Sequence, residues 1–156
     1  MFDQVLQAAN LRLGPMTANR YQLERDHEGV GRGRRGLGIQ AFDVHTGKPR
    51  ATTTLSGGES FIAALALALG LADVVESTNG KVRLDTIFID EGFGSLDTEN
   101  GSGTLDQVLQ VLSSLVRQNR AVGLISHVPL VQESIPNGFY VRKQLSGSSI
   151  ETRGLV

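Results

Sequence analysis

The stretch "LDTIFIDEGFGSLD" (residues 84–97) decides the fold. Its first seven residues are an apolar run rich in β-branched side chains, too short for a helix and suited to a strand buried on both faces. The run stops on two adjacent carboxylates, Asp90 and Glu91, followed by a glycine-punctuated turn. A second such run, "AVGLIS" (121–126), leads into His127, and between the two "GTLDQVLQVLSSLVRQN" (103–119) has the spacing of an amphipathic helix. Strand, helix and strand predict a βαβ unit with a parallel pair and a right-handed crossover, hence an α/β fold.

Upstream, "TLSGGES" (54–60) opens onto "FIAALALALGLADVV". This predicts a helix over 59–77, stopped by Asn79-Gly80 and apolar almost all round, as a core helix is. Its fifteen residues, with Asp73 near the end, are too few to span a bilayer. Residues 2–13 have helical spacing closed by Gly14-Pro15. "NRYQLER" (19–25) and "LGIQAFDV" (37–44) predict a hairpin, "HTGKPR" (45–50) a turn, and "FYVRKQL" with "SIETRG" a closing hairpin across "SGS". An antiparallel first third and an α/β remainder thus share one domain.

Bulk properties agree. At 156 residues the chain is one domain by length, and 40% hydrophobic with 20% charged is a globular composition. A net charge of -1 gives no whole-surface attraction to nucleic acid or membrane. Zero cysteines excludes disulfides, thiolate catalysis and Cys-ligated metal, and fits a reducing compartment. With no basic-then-apolar leader the expected location is cytoplasmic. Nineteen glycines are about 12% of the chain, against an average near ~7%. They gather at 29–38, 57–58, 92–94 and 101–103, which predicts several loops converging on a ligand.

Buried parallel strands deliver side chains to their C-terminal edge, where such sheets bind ligands. Asp90 offers a hard oxygen suited to Mg²⁺, Glu91 a group that orients or deprotonates water, and His127 a donor to a phosphate oxygen. Ser56, Gly57 and Gly58 stand at a helix mouth whose N–H groups and dipole attract an anion, partly offset by Glu59. Each piece also has an ordinary reading: a polar strand end, a surface histidine, a helix cap. Two patterns mislead. Gly31-Arg32-Gly33-Arg34-Arg35-Gly36 matches G-x-G-x-x-G but lacks the flanking strand and helix, and reads as a hairpin tip. Neither Gly47-Lys48, with Phe42 and Pro49, nor Gly80-Lys81, with Val75 and Val82, completes a P-loop.

In their order, "LSGGES" (55–60), "LDTIFIDE" (84–91), "GFGSLD" (92–97) and "LISH" (124–127) closely resemble the C-terminal part of an ABC-type ATPase: signature motif, Walker B strand with its Glu, D-loop and H-loop. Transporter ATPases usually follow the Asp-Glu with Pro-Thr-Ser, and SMC proteins with Val-Asp-Ala. The wording here resembles the SbcC family, the large subunits of bacterial SbcCD DNA-repair nucleases, as do "SFIAALALALGLADVV" and "HVPLVQESIP". The resemblance implies a partial P-loop NTPase fold, with residues 1–18 a helix adjoining a coiled coil and 19–156 the C-terminal lobe of the head. It implies ATP and Mg²⁺ as cofactors. Asp90 would hold the metal, and Glu91 and His127 would act on the head's own nucleotide. Ser56, Gly57, Gly58 and Glu59 would meet the terminal phosphate of ATP held by a second head, with Asp97 at the interface. Expected partners are an N-terminal P-loop lobe, a second head, an SbcD-type nuclease and DNA, with no membrane. SbcC chains are far longer, so this would be a cut-down form or one piece of a broken gene. "TENGSGTLD" (98–106) predicts an enlarged loop. Two other readings stay open: another ABC ATPase, whether a transporter motor or SMC-type, and a non-catalytic interaction domain.

Overall fold

A serine with a glutamate three residues on makes a capping box, and one starts α2 (Gly57–Asn79) in the computed structural model, which describes residues 1–26, 38–80, 83–99 and 102–154. The helix ends at Gly80, whose φ of 55° is the left-handed conformation glycine adopts at little cost. At 23 residues α2 is longer than its sequence pattern predicts. By length and composition it could cross a bilayer, so shortness does not exclude a membrane span. Packing sets its role instead: Ile62, Ala63, Leu65, Ala66 and Leu69 are buried in the core.

Against α2 lies α1 (Phe2–Met16), which contributes Leu6, Ala9, Leu13 and Met16. The two backbones approach closely where Gly70 faces α1, and a Cβ there would fall 2.4 Å from the Ala9 nitrogen. Contrary to expectation, Gly14-Pro15 does not close α1. Pro15 sits in its last turn, where the loss of one backbone hydrogen bond is tolerated, and the helix ends at Met16.

Three strands form an antiparallel sheet in the order β1 (Tyr21–Arg25), β2 (Ile39–Asp43), β3 (Lys48–Ala51). The third was expected to be part of a turn. Pro49 marks it as an edge strand, the place where a residue without an N–H fits. On the opposite edge the Asn10 side chain stands in for a neighbouring strand. It donates to the Leu23 carbonyl at 2.9 Å and accepts the Leu23 N–H at 2.7 Å.

The βαβ unit runs β4 (Thr86–Asp90), α3 (Gly94–Glu99), α4 (Ser102–Arg117), β5 (Ala121–Ile125), and β4 and β5 pair in parallel as the apolar runs predict. One face carries Ile87, Ile89, Val122 and Leu124 onto a core shared with Leu105, Val108, Leu112 and Leu115. The other face corrects an expectation. Phe88 is 78% and Ile125 56% exposed, so the strands are not buried on both sides by the described residues. An apolar run states that a face wants cover, not that the same chain supplies it. The enlarged loop expected over 98–106 is instead largely helix, since α3 reaches Glu99 and α4 begins at Ser102.

Arg12 of α1 and Arg120 before β5 both bond Asp73 on α2, at 2.9 and 3.1 Å, and Arg120 also reaches Glu76 at 2.7 Å, tying three elements together. A short helix, α5 (Pro129–Ser134), leads to the closing hairpin β6 (Gly138–Gln144) and β7 (Gly147–Arg153), with Val141 opposite Ile150. Gly70→Ala should lower stability in urea unfolding by about 1–3 kcal/mol, because backbone rather than a flexible side chain must move. Gly103→Ala, in open space on a helix, should be neutral or mildly stabilising. Equal effects of the two would contradict the close-approach account.

Candidate functional site

β4 ends at Asp90, an exposed residue opposite Ile125 in the parallel register. The chain then turns sharply. Glu91 has a φ of 57° and Gly92 one of 97°. A left-handed non-glycine residue costs on the order of 1 kcal/mol and persists only where its surroundings hold it. Here the Glu91 N–H is held by the Ile125 carbonyl at 2.9 Å. The turn brings the Glu91 carboxylate to His127, with Oε2 and Nδ1 3.0 Å apart and both side chains at least half exposed. Where the Glu91 carboxylate accepts, Nδ1 is the donor and Nε2 is left for another partner. Asp90, Glu91 and His127 thus share one rim, and Gly94 lies beside the imidazole, where a Cβ would be 3.9 Å from Nε2.

Among the described residues no group of three or more His, Cys, Asp or Glu side chains could hold a metal ion. A single exposed carboxylate at a strand end fits Mg²⁺ all the same, because that ion keeps water and phosphate oxygens as its remaining ligands.

The second cluster is the start of α2. Ser56 Oγ accepts the Glu59 N–H at 3.2 Å, and the Glu59 carboxylate accepts the Ser56 N–H at 2.9 Å. Gly57 is exposed, Gly58 buried, and Ser56 and Glu59 half-buried. The other oxygen of Glu59 accepts from the Tyr21 hydroxyl at 2.5 Å. Around this pair stand Arg50 and Arg20, 3.9 and 4.0 Å from Glu59, and the buried Asp43, which accepts from Arg20 at 3.1 Å.

Burial and the bond to Glu59 push the Tyr21 hydroxyl up to about 12. Burial alone would raise Glu59. The bonds from Tyr21 and the Ser56 N–H, with Arg50 and Arg20 nearby, outweigh it and hold the carboxyl below its ordinary value. Asp43 is likewise lowered against its burial, by Arg20 and the backbone of His45 and Thr46.

The two clusters touch through one aromatic contact. Phe61, five residues after Ser56, packs edge-on against Phe93 with ring centroids 5.2 Å apart. It also fills the space a side chain on Gly92 would need, since a Cβ there would lie 2.2 Å from the ring. Asp97 is in α3, but its side chain lies outside the described residues, as does the whole "GRGRRG" segment (31–36). Sequence reasoning missed Tyr21, Asp43, Arg50 and Phe61. One signal was present: in β2 Asp43 shares the inward parity of Ile39 and Ala41, where an unpaired charge would be costly.

Raised and lowered groups act at opposite ends of the pH scale. Asp43 and Glu59 contribute stability that is present above the ordinary carboxylate range and is lost as pH falls through their lowered values. Tyr21 contributes stability present below its ordinary value of 10 and lost as pH rises toward about 12. Tyrosinate absorbance should therefore show a component near 12 that moves down in Glu59→Gln. If no component appears near 12 while circular dichroism stays native, the Tyr21–Glu59 bond is refuted.

Comparison with known proteins shows what these features resemble. The SbcC/RAD50-like Walker B motif family matches residues 39–110. The SbcC subunit of nuclease SbcCD from Staphylococcus aureus (strain JH9) is 49% identical over 134 residues, which is 86% of this chain and 13% of that protein; the strain Newman protein matches equally. The chain therefore spans about an eighth of the length of the curated relatives it matches. Among solved structures, an SMC ATPase studied for ATP-driven dimerization and DNA-stimulated activation aligns with 97% of this chain and 84% of its own, at TM-score 0.68 and 12% identity. The SMC head domain from Thermotoga maritima aligns with 98% of this chain and 48% of its own, at TM-score 0.62 and 16% identity. At such identities the structures speak for the fold alone. A Walker B strand ending on Asp90-Glu91, in a fold shared with SMC heads, makes the chain similar to the SbcC/RAD50-like Walker B family over residues 39–110 and to the SbcC subunit over 86% of its length.

Proposed function

We propose that this chain is the C-terminal half of an SbcC-like ATPase head, which binds and hydrolyses ATP between two heads and so regulates a DNA double-strand-break repair nuclease. The observation that carries the reading is the Glu91–His127 pair, held 3.0 Å apart at the strand edge beside Asp90. Phosphoryl transfer needs a metal holder, a group that positions water and donors to the developing charge, and these three residue types meet the need.

Bound ATP with Mg²⁺ would supply the phosphoanhydride bond that water cleaves. Asp90 would hold the metal, and Glu91 would orient the attacking water and accept its proton. His127 shares its Nδ1 proton with Glu91, so donation from Nε2 to a phosphate oxygen as well takes the imidazolium form. Ser56, Gly57, Gly58 and Glu59 serve the nucleotide of the opposite head, and Asp97 lies at the interface. The P-loop comes from an N-terminal lobe, and the open face of β4 and β5, with Phe88 and Ile125, suits an apolar cover of that kind. Residues 1–18 lead to the coiled coil, and an SbcD-type nuclease and DNA complete the assembly in the cytoplasm.

Alone, the chain should hydrolyse little or no ATP. Mixed with a separately made P-loop lobe of an SbcC-like protein it should turn ATP over. Glu91→Gln should then remove turnover by at least about a hundredfold while nucleotide stays bound, as loss of a catalytic base does. Turnover by the lone chain equal to that of the mixture would contradict the reading, and DNA stimulation of the assembled head separates it from a transporter motor.

A further inference from the structure

The antiparallel sheet grips the loop before α2 from outside the helix. Arg50 on β3 donates from Nη2 to the Thr54 carbonyl at 2.6 Å and from Nη1 to the Tyr21 hydroxyl oxygen at 3.3 Å. Tyr21 donates onward to Glu59, and Glu59 accepts the Ser56 N–H. The short segment 54–56 is therefore tied at both ends: Thr54 by its carbonyl, Ser56 by its amide through Glu59. An ordinary capping box joins residues of one helix end and orients nothing beyond it. Here its carboxylate is shared with a tyrosine 38 residues earlier in the chain, so the box also fixes the helix start against the sheet.

Charge points the same way. A carboxylate in the first helical turn opposes the approach of an anion to the positive helix end. Arg20 and Arg50 flank both Glu59 and Asp43, at distances from 3.1 to 4.0 Å. Two cations and two anions sum to zero formal charge, so Glu59 keeps its structural bonds without repelling an incoming phosphate. The Ser56 hydroxyl meanwhile uses a lone pair, not its proton, in the box, and that proton remains for donation.

We propose that Tyr21 and Arg50 are positioning residues for this loop: through Glu59 and the Thr54 carbonyl they hold Ser56 and the start of α2 in the orientation that meets the terminal phosphate of a nucleotide carried by a second head. The inference rests on the two-head reading above. It has a directional consequence: disturbing Tyr21 slows the site on the opposite head, not the site on its own.

The test uses heads reconstituted with a P-loop lobe and purified as mixed dimers carrying different affinity tags, with Glu91→Gln silencing one of the two sites. When Tyr21→Phe shares a head with Glu91→Gln, the working site faces the altered loop. Turnover should fall about tenfold below that of the dimer with Glu91→Gln alone, the scale of one lost hydrogen bond to a charged group. When the two substitutions lie on opposite heads, the working site faces an unaltered loop and the rate should hold. Arg50→Ala, at a partly exposed position, should reproduce the asymmetry, with nucleotide affinity of each single head unchanged. A general loss of packing would slow both arrangements alike. Equal rates in the two arrangements, whether normal or low, overturn the proposal. If unaltered heads fail to pair with ATP, or Glu91→Gln leaves turnover intact, the two-head reading fails first and takes this inference with it.

Discussion

The Glu59 carboxylate, bonded on one side to the Ser56 amide and on the other to the Tyr21 hydroxyl, is the constraint on which the arrangement depends. It starts α2 at a fixed residue and fixes that start against the antiparallel sheet. Everything downstream inherits the registration, because α2 is also the core helix. Its buried side chains face α1, and Phe61 in its second turn props the loop after Glu91 through Gly92 and Phe93. A shift at the serine loop cannot be absorbed locally, since close-packed side chains pass displacement on. The serine loop and the strand-end carboxylates are thus mechanically one unit, although they are proposed to serve nucleotides on different heads.

The strand edge shows a second use of constraint. Glu91 occupies a left-handed backbone conformation that its side chain does not favour, and the hydrogen bond to Ile125 together with the packing around Gly92 keeps it there. That conformation aims the carboxylate at His127. Strain of this kind collects at sites where a side chain must point in one direction.

Much of the fold was legible because it is written in apolar spacing: the parallel pair flanking α4, the core helix α2, and both hairpins. Spacing is silent on what lies outside it. Residues 84–90 read as a strand buried on both faces, yet Phe88 stands open to solvent, because a periodic pattern records the demand for cover and not its source. The apolar run of α2 understated its length, since polar residues at both ends continue the helix through capping and backbone bonds. β3 was hidden by Pro49, which fits an edge strand as readily as a turn. The rim residues Asp90, Glu91 and His127 were visible as strand endings. The surroundings of Glu59 were not, because Tyr21, Asp43 and Arg50 come from three strands that only the fold brings together.

The central claim, that Ser56 meets a phosphate belonging to the other head, has a direct measurement. ATP carrying a photoreactive group on its terminal phosphate would be bound to paired heads in which one head is isotopically labelled and cannot hold nucleotide. Mass spectrometry then locates the attachment. The account predicts attachment to residues 54–60 of the labelled, nucleotide-free head. Attachment confined to the head that holds the nucleotide would contradict it.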